Sequence, residues 1–290
     1  MSTNEQRRQA AKRKLERQLA RRAERAKRRR AFAVLGGASA VVLVIGLVVL
    51  ITMLSGDDGD AGPGATPGAS GAPSEESAAS PSSEVAVTPA RAAPPVRPQP
   101  LPPVVDCQYP VSAQAAVKPV NPPPAGATPT TGTVRVNLQT SAGAIPLTLD
   151  RSLAPCAVTN FVSLTEQGYF NDTPCHRLTT GEGLQVLQCG DPSGTGTGGP
   201  GYRFANETWP ELTYGRGHLA MANAGPDTNG SQFFLVYGDA QLPPDYTVFG
   251  TFSDEGLQVL DRVARAGAQG GTPDGPPATP VTITTATITP

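Results

Sequence analysis

Residues 31–54 contain no charged side chain. The run from Ala31 to Leu54 includes Val41, Val42, Leu43, Val44, Ile45, Leu47, Val48, Val49, Leu50 and Ile51. A helix of about 20 apolar residues crosses the hydrocarbon core of a bilayer. The borders sharpen the reading. Residues 1–30 hold 13 of the 23 Lys and Arg residues and 3 of the 24 Asp and Glu, which leaves 10 and 21 for the other 260 residues. A basic block at one end and a Gly/Asp segment at the other predict a single transmembrane helix over 31–54. Its N-terminus is then cytoplasmic and everything after it extracytoplasmic. A buried core helix would not sit between such flanks. A cleaved signal peptide has an apolar region of only about 7–15 residues closed by a small-residue site, which is not found here. Beside a span, the basic block of residues 1–30 fits topogenic and lipid contacts better than nucleic-acid binding.

Residues 55–104 are rich in Gly, Ala, Pro and Ser, with Pro94-Pro95 and Pro102-Pro103 near their end. Such a composition buries too little apolar surface to offset chain entropy. The expectation is a disordered linker that stiffens toward polyproline II. Residues 105–130 remain Pro-rich but contain Cys107 and Tyr109, and are expected to form an arm attached to the following domain.

From Thr133 the pattern changes to short strands and tight turns. Val134, Val136 and Leu138 alternate with polar residues, as do Ile145, Leu147 and Leu149, with Gly143 in the turn between them. Pro155 opens a helical pattern carrying Val158, Phe161, Val162 and Leu164, closed by Gly168. Further strands are expected at 175–180, 184–190, 218–223, 231–237, 247–252 and 281–288. A second helix fits 255–266, with Leu257, Leu260 and Val263 inward and Gly267 as its stop. Eight strands and two helices in residues 131–290 predict a mainly β domain: an eight-stranded antiparallel barrel capped by two helices.

The four cysteines are Cys107, Cys156, Cys175 and Cys189. An extracytoplasmic domain permits disulfides, and four cysteines allow three pairings. Cys175 with Cys189 is favoured, because both lie in expected strands flanking one excursion. Cys107 would then tie the arm to Cys156 at the first helix. The alternative is four reduced, buried thiols. A zinc site finds little support without a Cys-x-x-Cys and with only His176 and His218 to assist.

Several other chemistries find no footing. Gly194 to Gly199 match G-x-G-x-x-G, but Pro200, Gly201 and Tyr202 follow where a dinucleotide site needs a helix. The expectation there is a flexible glycine loop. No Gly-x-Ser-x-Gly occurs, and two histidines offer little for a hydrolytic triad.

The informative segments are Cys175-His176-Arg177-Leu178, Gln188-Cys189-Gly190-Asp191, the run from Leu219 to Phe234, and Val248-Phe249-Gly250. Met221-Ala222-Asn223-Ala224-Gly225-Pro226 followed by Thr228-Asn229-Gly230-Ser231-Gln232-Phe233-Phe234 resembles the signature of the cyclophilin family. The other three segments stand in the family's order. The resemblance covers about residues 131–290, and the anchor is similar to that of bacterial surface cyclophilins. It implies an eight-stranded barrel with two helices and isomerisation of X-Pro peptide bonds. It implies no cofactor and no metal. Proline-containing peptides and proteins would be the partners, with no nucleic acid.

By the same resemblance, Arg177 would present its guanidinium to the proline nitrogen and carbonyl. Gln188 and Gln232 would position Arg177 or bind the substrate backbone. Asn223 would meet the peptide through its backbone, and Ala222 and Ala224 would leave room for the residue before proline. Val186, Phe234 and Leu242 would wall the proline pocket, with Tyr246 at the family's site-histidine position. His176 is expected to be structural. Three departures stand out: Gln185 at the usual pocket Phe, Gln241 at the usual Trp, and about three extra residues between Leu178 and Leu187. Loss of that Trp implies weak cyclosporin binding. Gln185 and Gln241 also motivate an alternative, a weakly active or inactive module that binds proline peptides at the cell surface.

Overall fold

The computed structural model describes residues 90–290. The expected basic segment, the membrane span and the linker as far as residue 89 lie outside the described residues. Among the described residues no helix is long and apolar enough to cross a membrane.

The strands are β1 (Val104–Cys107), β2 (Gly126–Pro129), β3 (Thr133–Thr140), β4 (Gly143–Asp150), β5 (Thr173–Pro174), β6 (Arg177–Thr179), β7 (Leu184–Cys189), β8 (His218–Met221), β9 (Phe233–Ala240), β10 (Val248–Phe252), β11 (Asp274–Gly275) and β12 (Thr282–Thr289). The helices are α1 (Pro155–Glu166) and α2 (Asp254–Ala266). Ten strands form one antiparallel sheet in the order β11-β6-β7-β9-β8-β10-β4-β3-β12-β5, and β1 pairs with β2 separately. The expected eight strands are therefore joined by two-residue strands at both margins. Of the strand expected over 175–180 only β6 forms, and the two residues before that range form β5, at the opposite end of the strand order. Three residue steps separate Pro174 from Arg177 and span at most about 11 Å. The two margins are therefore drawn toward each other, and the sheet curls into a half-barrel.

Alternation along the strands decides which side chains enter the interior. Val136 and Leu138 of β3 face Leu147 and Ile145 of β4 across the ladder, all buried. One end is filled by aromatic rings. Phe161 of α1 lies 4.7 Å from Phe170, 5.2 Å from Phe233 and 5.3 Å from Phe249, centroid to centroid. Such offset and edge contacts suit aromatic quadrupoles. α2 buries Leu257, Val259, Leu260 and Val263. It is also tied to the barrel by Arg216, whose Nη1 and Nη2 donate to Asp261 at 2.7 Å each.

The expected linker needs a correction at its C-terminal end. The chain packs on the barrel from Arg91 onward. Ala92 N donates to Arg216 O, and buried His218 holds Ala93 O at 2.9 Å through Nε2. Arg97 donates to Leu153 O and Glu207 O while its guanidinium lies 4.7 Å over Trp209. Composition misled here because proline-rich chain can dock as an extended strap, with its polar backbone met by side chains of the barrel. Residues 105–130 pack too. Cys107 is bonded to Cys156, and Tyr109 donates to Cys156 O while its ring meets Tyr202 and Phe204. The second disulfide joins Cys175 to Cys189. Both pairings are those favoured by the position of the cysteines in the chain, and no free cysteine remains.

Candidate active site

Antiparallel pairing places the site residues on one face. Arg177 of β6 stands opposite Gln188 of β7, Gln188 opposite Phe234 of β9, and Phe234 opposite Ala220 of β8. Directly opposed residues share a face, as do residues two apart. Val186 and Gln232 therefore join Arg177, Gln188 and Phe234 on this face. Their neighbours Leu178, Leu187, Phe233 and Leu235 point into the barrel core.

The polar members form a directed relay. Arg177 Nη1 donates to Gln188 Oε1 at 3.2 Å, and Gln188 Nε2 donates to Gln232 Oε1 at 2.8 Å. Gln232 Nε2 donates in turn to Gly196 O and Gly198 O at 2.9 Å each. Each carboxamide is oriented by its two neighbours, so Gln188 presents its oxygen to the guanidinium in a fixed direction. Asp274 of β11 accepts from Arg177 Nε at 2.8 Å and from Nη2 at 2.7 Å. That side-chain bond is the main influence that raises the Arg177 pKa above its ordinary value.

The glycine-rich stretch is not the flexible loop that its composition implied. Asp191, fully buried, accepts from Ser193 N, Ser193 Oγ, Gly196 N and Gly198 N, all at 2.7–2.9 Å. Burial pushes the Asp191 carboxyl up, but the bonds from Ser193, Gly198 and Gly196 outweigh it and leave the pKa below the ordinary value. Gly198 is required because an added Cβ would sit 2.1 Å from Asp191 Oδ1. Gly190 has φ +90°, and its Cβ would fall 2.3 Å from Ser231 O. These contacts give the Gln-x-Gly-Asp motif its physical content: the glycine permits close approach of β9, and the aspartate builds the loop that receives the relay.

Beyond the relay lies a cavity of about 350 Å³ whose lining includes Gln188, Gln232, Ala222, Asn223, Ala224 and, from the arm, Gln114. Gln114 Nε2 donates to Thr197 O, which sets the arm against the glycine loop. The Asn223 carboxamide is committed to the protein's own loops, donating to Asp245 O and accepting from Gly225 N. These bonds fix the orientation of the carboxamide and hold the Asn223 backbone at the cavity edge. Val186, Phe234, Leu242 and Tyr246 stand outside this cavity. Phe234 meets the ring of Tyr246 edge-on at 5.7 Å and lies 6.4 Å from Tyr214. Tyr214 Oη donates to Tyr246 O and accepts from Tyr246 N, both at 2.9 Å. Because Gln188 borders Phe234 and also lines the cavity, the relay lies between an aromatic wall and the cavity. The face is bipartite.

Residues 135–288 match the family model described as "Cyclophilin type peptidyl-prolyl cis-trans isomerase/CLD". The chain belongs to the cyclophilin family. It is 57% identical over 192 residues to "Probable peptidyl-prolyl cis-trans isomerase B" of Mycobacterium leprae, covering 62% of this chain and 65% of that protein. The protein of the same name from Mycobacterium tuberculosis is 56% identical over 192 residues, covering 62% of each chain. The "Peptidyl-prolyl cis-trans isomerase" of Helicobacter pylori is 45% identical over 134 residues, 45% of this chain and 80% of that one. The chain thus spans just under two thirds of the mycobacterial relatives.

Relative to the usual cyclophilin pattern, Gln185 does not project as a pocket wall. The ladder shifts register between Leu184 and Val186, and Gln185 Oε1 accepts from Asp239 N at 2.9 Å across that bulge. Gln241 donates to Asp239 Oδ2. Both departures therefore serve the β7–β9 junction. The extra residues after Leu178 form the β6–β7 turn, where Thr180 N donates to Pro273 O and helps to seat β11. The ring nitrogens of His176 are buried and unpartnered. Burial lowers its pKa and keeps it neutral, consistent with a structural role beside the glycine loop. Two residues that the motifs did not single out matter here, Asp274 and Tyr214, and Asp191 was marked only as part of a motif, without a role. Only Asp191 left a signal, its place in the Gln-x-Gly-Asp motif.

Proposed function

We propose that this cyclophilin catalyses cis–trans isomerisation of X-Pro bonds in extracytoplasmic proteins and assists their folding. The uncatalysed barrier arises from amide resonance and is about 18–20 kcal/mol. Twisting the bond localises a lone pair on the proline nitrogen, while no bond breaks. A fixed donor that bonds more strongly to the twisted amide than to the planar one lowers the barrier. The observation that carries this reading is the fixed guanidinium of Arg177, on the same face as the Phe234 ring with only β7 between their strands. Three of its five N–H donors are engaged by Asp274 and Gln188, which leaves two for a substrate amide. The wall of Phe234, Val186, Leu242 and Tyr246 would grip the proline ring. The cavity with Ala222, Asn223 and Ala224 would receive the residues before it.

The uncharged run at 31–54 and its basic flank support attachment by one N-terminal membrane helix, with the barrel extracytoplasmic. The two disulfides suit an oxidising compartment. The test of the activity is exchange NMR on a short X-Pro peptide with the full chain. Wild type should accelerate exchange, and Arg177→Ala should reduce the acceleration about 100-fold with circular dichroism unchanged. Peptide binding without acceleration by the folded wild type would move the reading to a proline-binding module.

A further inference from the structure

The ion pair between Asp274 and Arg177 resembles an ordinary surface salt bridge, a type worth about 0–1 kcal/mol to stability. Three features set it apart. The first is which donors it occupies. Asp274 takes Nε and Nη2, whereas Nη1 belongs to Gln188, a residue of the cavity lining. The carboxylate thus grips the edge of the guanidinium away from the relay, leaving the relay side for substrate. A carboxylate that blocked the site would instead compete with Gln188 for Nη1.

The second is delivery. Asp274 pairs with Thr179 and Gly275 with Leu178, so β11 fixes the backbone of Asp274 diagonally across from Arg177. Diagonal neighbours on one face are within reach of long side chains. Thr180 N donates to Pro273 O at 2.8 Å, and Thr272 Oγ1 donates to Asp274 O at 3.1 Å. The third is origin. β11 docks on the lengthened β6–β7 hairpin, the segment where this chain exceeds the compact cyclophilin pattern. The turn and the strand that carries the carboxylate form one structural unit.

Resting on the isomerase reading above, we infer that Asp274 is a positioning residue for Arg177, holding the guanidinium in plane so that Gln188 and substrate share its remaining donors. A bidentate carboxylate fixes both the position and the plane of an arginine, which a single bond from Gln188 at 3.2 Å does not. Misplacement of a reacting group by about 1 Å can cost as much as 100-fold in rate. Loss of Asp274 should therefore be felt in turnover rather than in stability. Its ionised state is favoured by Arg177, whose hydrogen bond holds the Asp274 carboxyl below its ordinary pKa.

The experiment compares wild type, Asp274→Ala, Asp274→Glu, Arg177→Lys and the Arg177→Lys/Asp274→Ala double variant, each as the full chain, in peptide exchange NMR. Asp274→Ala should lower kcat about 10-fold with KM changed less than about 2-fold, and Asp274→Glu should recover most of the loss. In the Arg177→Lys background, Asp274→Ala should have no further effect, since the planar fork it orients is gone. The Arg177 Nε–Hε resonance, observed directly, should be protected from exchange in wild type and lost in Asp274→Ala. Full activity of Asp274→Ala beside an active wild type would overturn this inference and leave the isomerase reading intact, as would an unchanged Nε–Hε signal. An inactive, folded wild type would overturn the isomerase reading and this inference with it.

Discussion

The two helices differ in where their ends are capped. α2 carries its own signals. Ser253 precedes it and accepts from Gly256 N, Asp254 and Glu255 occupy its first turn, Arg265 its last, and Gly267 with φ +76° ends it. α1 shares only the closing glycine, Gly168 with φ +65°. Its N-cap is Ala154, with no side-chain cap, no acidic residue in the first turn and no basic residue in the last. Its caps come from elsewhere in the chain. Glu207 accepts from Cys156 N and Ala157 N through its two carboxylate oxygens, at 3.0 and 2.8 Å. Lys118 of the arm donates to Gly168 O, Tyr169 O and Asn171 O just beyond the other end. Cys107 is bonded to Cys156 in its first turn. A helix can be specified by its own termini, or by the parts of the fold that converge on it. In the second case it becomes a junction, and α1 is where the arm is fastened to the barrel.

The comparison would break most visibly at the Cys107–Cys156 bond. Replacing both cysteines by serine should cost about 2–4 kcal/mol, read as a lowered urea midpoint. It should also loosen the arm that supplies Gln114 to the cavity, detectable as faster amide exchange across residues 105–117. An equal midpoint for the variant would mean that Tyr109 and Arg97 alone suffice.

Glu207→Ala comes next. Removing an acceptor shared by two helix N–H groups should cost about 2 kcal/mol. The same variant isolates a pH effect. Burial pushes the Glu207 carboxyl from an ordinary value of 4.5 up to about 7, against the bonds from Cys156 and Ala157 and the field of Arg97, which pull it down. A carboxyl whose pKa is higher folded than unfolded contributes stability that is full below its unfolded value and is lost as pH rises through the folded value. Wild type should therefore lose stability relative to Glu207→Ala between pH 4.5 and about 7. His218 acts in the opposite sense. Burial lowers its pKa, so the stability it contributes is present above its ordinary value of 6.5 and lost as pH falls through its lower folded value. Replacing Glu207 should leave that acidic loss in place, and equal pH profiles for the two proteins would contradict the Glu207 assignment.

Smaller effects sharpen the contrast. Ser253→Ala, a local cap on α2, should cost about 1 kcal/mol and leave the arm's amide exchange unchanged. Lys118→Ala should cost about 0.5 kcal/mol but speed exchange at residues 112–118, because its partners lie across the arm–barrel seam. If Ser253→Ala loosened the arm as much as Lys118→Ala does, the distinction between the two helices would fail.

The same distinction governs what could be read from the chain. The β3–β4 hairpin was legible because Val134, Val136 and Leu138 alternate against Leu149, Leu147 and Ile145. α2 was legible from Leu257, Leu260, Val263 and Gly267. The candidate site was legible where its residues lie in contiguous motifs, as Arg177, Gln188, Gln232 and Phe234 do, and strand alternation then places all four on one face. Legibility ended where a partner is remote. Asp274 lies 97 residues from Arg177, and Glu207 lies 51 from Cys156. Neither stands in a motif or a periodic pattern. Residues 91–104 read as a tether because docking through Arg97 and His218 leaves no hydrophobic period. Gln185 read as a polar defect in a pocket wall, and only the register shift between β7 and β9 shows its carboxamide bonded to Asp239.

The amino-acid sequence alone determined the mainly β character with two helices, the cysteine order, the motifs that carry the site residues and the family. These rest on local periodicity, local caps and contiguous motifs, which need no knowledge of what lies nearby in space. Tertiary structure alone decided that ten strands pair rather than eight, that the arm begins near Arg91, that the face divides at Gln188 and that Arg177 faces a carboxylate. Each of those depends on register and on contacts between distant segments. The free energy of such contacts is set by geometry that appears only once the sheet has curled and drawn its margins toward each other.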